Sequence, residues 1–540
     1  MDVKHAGQAR RVKCDAAKPH CQRCTSTGQL CEYATDRLFR NTTSVSSTEL
    51  PAKCLSQNAS EYSPTHHVAR YKHPWNQFMN VGSLARSSGL PMVFNAREHQ
   101  LFHLFRTRIA PNLGGYFDAD FWNVTLPCVA HVEPPVLYAA LAVAATEKAV
   151  PSLAESGDTA ECDVIMFYNR AIQSLRMDVA QHTDRFRHTI LLTCLLFICL
   201  EFKRGRTGVA LAHLQAGLTI LCVHHELVPE LSQLSDLLRK LDAIFHRLSI
   251  QGSLIGQVPP ARFYRRQEMA SGSIDANFTD IMAAQKSLTS ILIDSLRPAA
   301  PAVDVTCASS PNSDDVISQS ICVRQLRQWN LEMKTFLSHS FSGPNNRETL
   351  AVRCMQVQSL VATIWTSANH SSNQDFDLEI MFDYYVRDFQ TLVSLAAICI
   401  NGADAMHLST ASASPNNTHY ASFSFEMGLS FALYFTAVKC RSPSIRRRAI
   451  ELLSKATTAQ EGLWNTRVLL SIARFILKHE ESFVSGPPST ENPKDWPRLE
   501  DRIHAAYIIP FCDLERRLQQ VQYVWRPGQA WETWTEDILF

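Results

Sequence analysis

The stretch that decides the fold is LLTCLLFICLEFKRGRTGVALAHLQAGLTIL, residues 191–221. Its first part, with residues 187–202 around it, is apolar nearly all round, the signature of a helix buried on every side. Its second part carries Leu211, Leu214, Leu218 and Leu221, a single stripe at helical spacing. A buried helix followed by an amphipathic one, joined by Lys-Arg-Gly-Arg, predicts a helical core.

The same period extends in both directions. In 162–181, Ile165, Tyr168, Ile172, Leu175 and Val179 form one stripe. Further helices are predicted at 97–110, 134–149, 233–252, 279–296, 320–338, 347–367, 380–400 and 424–439. Ser442 is placed as an N-cap, with Pro443 at the first helical position, where a missing N–H costs nothing. Residues 300–320 and 403–420 read as long surface loops. Strand alternation competes only in YIIPFCDLERRLQQVQYVW (507–525), where a short hairpin is predicted.

The chain has 540 residues, enough for a small module and a large domain. Its formal net charge is +1, so no global electrostatic signature marks a nucleic-acid or membrane partner. The start lacks the apolar core of a secretory signal, and the run 189–200 is too short to span a bilayer, which predicts no membrane partner. Basic character is concentrated in residues 1–40, with eight Lys or Arg against four Asp or Glu. Residues 41–94 are rich in Ser, Thr and Asn and read as a flexible linker without a heptad seam. The expected organisation is a cysteine-rich module at 1–40, this linker, and an all-helical domain at 95–540, a mostly α chain.

Four of the 16 cysteines, Cys14, Cys21, Cys24 and Cys31, lie close together as C-x6-C-x2-C-x6-C. A C-x2-C pair lets two thiolates close on one tetrahedral zinc, and the flanking cysteines supply further ligands. His5 and His20 are additional nitrogen candidates, though such a histidine is more often a solvated neighbour. The other twelve cysteines show no paired spacing, as expected of reduced thiols in the cytosol or nucleus. Cys194 and Cys199, in the apolar helix, suit core packing.

RRVKCDAAKPHCQRCTSTGQLCEY (10–33) resembles the fungal binuclear zinc cluster transcription factors. In that family six cysteines hold two zincs, and Cys14, Cys21, Cys24 and Cys31 match the third to sixth. The first two are expected at positions 4 and 7, which hold Lys4 and Gly7. By the family's ligand assignment the remaining thiolates supply five of the eight metal bonds that two zincs need, so one zinc or none stays open beside the family's two. Two origins of this edge stay open as expectations: a start assigned downstream of the true one, or real loss of the two cysteines.

The resemblance implies a short helix ahead of Cys14 that enters the DNA major groove, commonly over a CGG triplet. Arg10, Arg11 and Lys13 occupy it. Arg11 is the candidate for reading a base edge, since a guanidinium donates two hydrogen bonds to guanine O6 and N7. Arg10, Lys13, Lys18 and Arg23 are candidates for phosphate contacts. The alternative for the basic run is a solvated face or a nuclear import signal.

FRTRIAPNLGGYFDADFW, EPPVLYAALAVAA, FYNRAIQSL, the 191–221 stretch and EGLWNTRVLLSIARFIL are similar to the fungus-specific helical regulatory domain that follows the cluster in one branch of the family. The resemblance implies a nuclear regulator of RNA polymerase II genes, of a metabolic or secondary-metabolite gene cluster, with double-stranded DNA and the transcription machinery as partners; without a heptad seam, a homodimer would use the large domain or stay weak. A second reading is a regulator that has lost autonomous DNA binding and acts through protein contacts. No phosphate loop, G-x-S-x-G elbow or H-E-x-x-H is present, so no enzyme is expected. His213 and Arg206 read either as part of a ligand pocket or as a partly exposed helix face, and His224 with His225 as a helix end.

Overall fold

The computed structural model describes residues 94–147, 157–181, 187–227, 236–254, 278–296, 313–339, 346–371, 377–410, 423–455, 460–484 and most of 492–540, together with 2–3 and 12–13. The chain divides into two compact units, Met1–Asn80 and Val81–Phe540. The linker expected at 41–94 lies almost wholly outside the described residues.

In the first unit, β1 (Asp2–Val3) pairs antiparallel with β2 (Val12–Lys13), Asp2 opposite Lys13 and Val3 opposite Val12. At Val12–Lys13 the chain is extended in place of the short helix implied there, while residues 10–11 lie outside the described residues. A helix of so few residues does not nucleate alone. The β-branched Val3 and Val12 favour the extended pair.

The second unit begins at α1 (Ala96–Leu104). Asn95 Oδ1 accepts from Glu98 N at 2.8 Å, and Asn95 N donates back to Glu98 Oε2 at 3.0 Å, a reciprocal cap of two N–H groups that lack helical partners. A π-helical turn, Phe105–Ile109, leads into α2 (Ala110–Leu113). After α3 (Leu126–Ala130), α4 (Pro134–Ala145) starts on proline. Its alanines let α5 (Gly157–Gln181) and α6 (Arg187–Lys203) approach closely, and α7 (Thr207–Leu227) then packs on α6.

The decisive stretch behaves as its pattern requires. Every residue of α6 from Leu191 to Phe202 is buried, and so are Leu211, Leu214, Leu218 and Leu221 of α7. Residues 207–224 of α7 are also long and apolar enough to cross a membrane, yet their leucine stripe lies inside the core. The α5 stripe is corrected: Val164, Phe167 and Ala171 face the core, Tyr168 and Ile172 line its rim, and Ile165 is exposed. The buried face is turned by about 100°, one residue of helix, from the predicted one.

Helices α8 (Asp236–Leu254), α9 (Ile281–Leu296), α10 (Ser313–His339), α11 (Asn346–Ser371), α12 (Leu378–Met381) and α13 (Val386–Thr410) follow, the last two joined by a 3-10 turn, Phe382–Tyr385. Two expected loops are shortened. Residues 313–320 open α10, where Asp314 and Asp315 favour the positive helix N-terminus. Residues 403–410 extend α13.

The second half holds α14 (Ser430–Lys439), α15 (Pro443–Lys455, starting on the predicted proline) and α16 (Thr466–Glu481). The helix expected at 424–439 begins only at Ser430 because β3 (Phe423–Ser424) precedes it, pairing with β4 (Gln460–Glu461) and β5 (Trp464–Asn465). The predicted hairpin is part of a larger antiparallel sheet, β6 (Ile503–Asp513), β7 (Leu518–Trp525) and β8 (Glu532–Leu539). The domain is therefore mostly helical without being all-helical.

Two apolar cores result. The first gathers α1 to α10 with part of α11, and the second gathers α11 to α16 and the large sheet. Tyr116 and Leu254 pack against both. Within the first, Gly217 of α7 lies so close to α8 that an added Cβ would stand 2.2 Å from Phe245 Cε1. Gly217→Ala should therefore overpack this crossing, costing about 1–3 kcal/mol and lowering the thermal unfolding midpoint measured by circular dichroism.

Candidate zinc module and the charged junctions of the helical domain

The expected zinc ligands Cys14, Cys21, Cys24 and Cys31, and the DNA candidates Arg10, Arg11, Lys18 and Arg23, lie outside the described residues. Lys13 is described through its backbone, in β2 opposite Asp2. Among the described residues no group of three or more His, Cys, Asp or Glu is arranged to hold a metal. Cys194 and Cys199 are buried free thiols whose pKa burial pushes up to about 12, in keeping with core packing.

His213 and Arg206 do not converge. His213 is half-buried beside Phe197, with Nε2 3.3 Å from Tyr168 Oη, and burial pushes its pKa down to about 4. Arg206 is exposed, its backbone N–H donating to Glu201 O at 2.8 Å. His224 sits near the end of α7, its Nδ1 2.6 Å from Arg187 Nη1.

Two junctions between distant segments hold this domain together. The first joins the two cores. Gln251 of α8 is fully buried; its Nε2 donates to Phe425 O and its Oε1 accepts from Leu463 N, both at 2.9 Å. Phe425 N donates to Leu113 O at 2.8 Å, and the Phe425 ring stacks on Trp122 at 5.1 Å. One glutamine thus satisfies buried backbone groups on two segments and fixes both against α8. Gly462 adopts φ +57°, and a Cβ there would stand 1.7 Å from Gln251 Oε1, so conformation and space both require glycine.

Beside it, Arg247 donates to Asp118 and lies 2.8 Å from Glu426 Oε1. Asp118 has φ +52°, a left-handed conformation that a non-glycine side chain holds only when anchored. Two buried carboxylates share this guanidinium. Burial raises the Glu426 pKa, Arg247 opposes and Asp118 adds to the rise, leaving it near 7 rather than 4.5.

The second junction closes the distal core. Glu379 receives Lys439 and Arg441; Glu480 receives Arg446 at 2.8 Å and Arg441 at 3.5 Å; Arg502 grips Asp383 at 2.8 Å and donates to Glu379 O at 2.7 Å. Burial raises the Glu480 pKa, but Arg441, Arg446 and the Ile503 N–H outweigh it and hold the carboxylate below its usual range. Removing one partner of such a pair leaves the other charge buried, at about 3–5 kcal/mol. Sequence reading missed these residues, since partners such as Glu379 and Arg441 are 62 positions apart and no local period links them.

Comparison with known proteins places both units. Residues 100–369, half of the chain, match the fungal specific transcription factor domain, and residues 8–40 match the fungal Zn(2)-Cys(6) binuclear cluster domain. The chain belongs to the fungal zinc-cluster transcription factors. It is a transcription regulator and not an enzyme; the matched cluster domain is a zinc-binding module in its family, and the family implies DNA and the transcription machinery as partners and action in the nucleus. It is 22% identical over 567 aligned residues to the aspercryptin biosynthesis cluster-specific transcription regulator atnN of Emericella nidulans, covering 87% of this chain and 86% of the relative. No solved structure matches the chain.

The Glu426 shift fixes a sign. The folded state binds this proton more tightly than the unfolded chain, so the stability it contributes is full below about pH 4.5 and is lost as pH rises through about 7. Glu426→Gln should remove that loss: in urea denaturation its stability relative to the parent protein should increase between about pH 5 and about pH 8.

Proposed function

We propose that this regulator binds specific DNA sites through a zinc-dependent module at residues 1–40, and that the helical domain from about residue 95 governs its output on genes of a metabolic or secondary-metabolite cluster. The observation that carries the reading is the order of Cys14, Cys21, Cys24 and Cys31 directly after Arg10, Arg11 and Lys13, inside the segment that matches the zinc-cluster family. Four thiolates are the donor set of one tetrahedral structural zinc. Two zincs of the family type need six cysteines, and Lys4 and Gly7 stand where two of them belong. The cluster-specific role of the Emericella nidulans relative supports the proposed class of target genes.

In this proposal Arg11 reads a base, a guanine of a CGG site, while Arg10, Lys13, Lys18 and Arg23 neutralise phosphates. Arg11→Ala should cost about 1–3 kcal/mol of discrimination at one base pair. Lys18→Ala should weaken specific and random duplexes alike and reduce the salt slope by about 1. Fluorescence anisotropy on CGG-containing and scrambled duplexes separates the two effects, and equal losses on both duplexes from both variants would remove the assignment.

The second reading, a regulator working through protein contacts alone, is favoured by Lys4 and Gly7. Zinc content by plasma mass spectrometry distinguishes them. Bound zinc, together with DNA binding that a chelator abolishes, is the expected result; a chain without zinc that binds no duplex would establish the second reading.

A further inference from the structure

We propose that the β8 edge of the C-terminal sheet is a docking site for an extended, lysine- or arginine-rich segment of another protein, which adds to the sheet as a further antiparallel strand. The sheet order β6-β7-β8 leaves β6 and β8 as its edges. Helix α7 lies against β6, whereas the elements packed on β8 are chiefly β7 and α16. β8 is paired to β7 along its whole length, from Leu518 opposite Leu539 to Trp525 opposite Glu532, without a register shift. In such a ladder every second residue turns its N–H and C=O away from the paired strand. Among the described residues no backbone group of 532–539 bonds outward; the neighbouring Phe540 N donates to Arg517 O, at the β7 side.

Exposed edges are usually blunted by charge, above all lysine, by proline or by a bulge, and like charge keeps a second copy of the same edge away. The sequence ETWTEDIL has no lysine, proline or bulge and keeps a regular pleat. Its charge is wholly acidic: Glu532, Glu536 and Asp537 are exposed, and none of them forms an ion pair with another described residue. Alternation puts Glu532 and Glu536 on the face of Trp534 and Ile538, with Thr533, Thr535, Asp537 and the 70% exposed Leu539 on the other. A second copy of β8 laid on this edge would double the carboxylates along one short ladder, which opposes self-pairing. A cationic strand reverses that sign: backbone hydrogen bonds supply affinity, Lys or Arg opposite Glu532 and Glu536 supplies selection, and Leu539 offers an apolar contact.

The test uses the full chain and labelled peptides of about ten residues: alternating Lys-Val, alternating Lys-Pro of equal charge but fewer N–H donors, and alternating Glu-Val. Lys-Val should bind in the micromolar range and Lys-Pro at least about tenfold more weakly. Glu532→Lys, Glu536→Lys and Asp537→Lys combined should lose the Lys-Val peptide and gain Glu-Val. Glu532→Gln, Glu536→Gln and Asp537→Asn combined should weaken Lys-Val without that gain, and this gentler variant stands in if the reversal lowers the unfolding midpoint. Equal binding of Lys-Val and Lys-Pro, binding unaffected by either set of changes, or no binding of Lys-Val would overturn the proposal. So would a dimer in sedimentation velocity that either variant dissociates, which would make the occupant a second copy.

Discussion

The geometry of the regulatory domain depends on one buried amide. Gln251 holds a carbonyl at Phe425 and an N–H at Leu463 with the two polar atoms of its terminal amide, and α8 thereby clamps two segments that lie far downstream. Because a buried amide is costly unless both ends are satisfied, the clamp tolerates little displacement. The neighbouring Arg247 fixes the turn after α2 through Asp118, and Arg347 fixes it again by donating to Gly115 O at 2.7 Å. The two apolar cores share α11 and the apolar contacts of Tyr116 and Leu254, and beside these a short polar seam joins them.

The distal cluster shows how a core can carry charge. Four cations, Lys439, Arg441, Arg446 and Arg502, face three carboxylates, Glu379, Asp383 and Glu480. The surplus of donors is directed to backbone carbonyls: Lys439 to His504, Arg441 to Val438, Arg446 to Ala437 and Arg502 to Pro497 and Glu379. Such a network contributes less net stability than its contact distances suggest, because each ion lost its water. Its effect is geometric, since it fixes the joint between α14 and α15, the end of α16 and the start of β6 as one arrangement.

The first unit matches a zinc-binding family module, and small modules of that kind fold on binding their metal. Lys4 and Gly7 offer no thiolate, and the described part of the module is the β1–β2 pair of Asp2–Val3 with Val12–Lys13. The charge that suits DNA is concentrated in the same residues, and the rest of the chain is close to neutral.

The sequence by itself determined the class of fold and the family. Helix α6 was legible because a segment apolar on all sides has only the interior to occupy, α7 because four leucines recur at its period, and α15 because proline tolerates only the start of a helix. The cysteine spacing was legible because metal geometry is local. What only the tertiary structure decided was the face that α5 presents, where two stripes compete and the approach of α4 and α6 selects Val164, Phe167 and Ala171. It also decided the strands of the C-terminal sheet, since Pro510 and the β6 register shifts blur the alternation and the carboxylates of β8 weaken its strand propensity. Above all it decided the polar seam: Gln251 and Phe425 are 174 positions apart, and hydrogen bonds between such residues leave no period or spacing in the chain, because their partners are set by packing and not by neighbours.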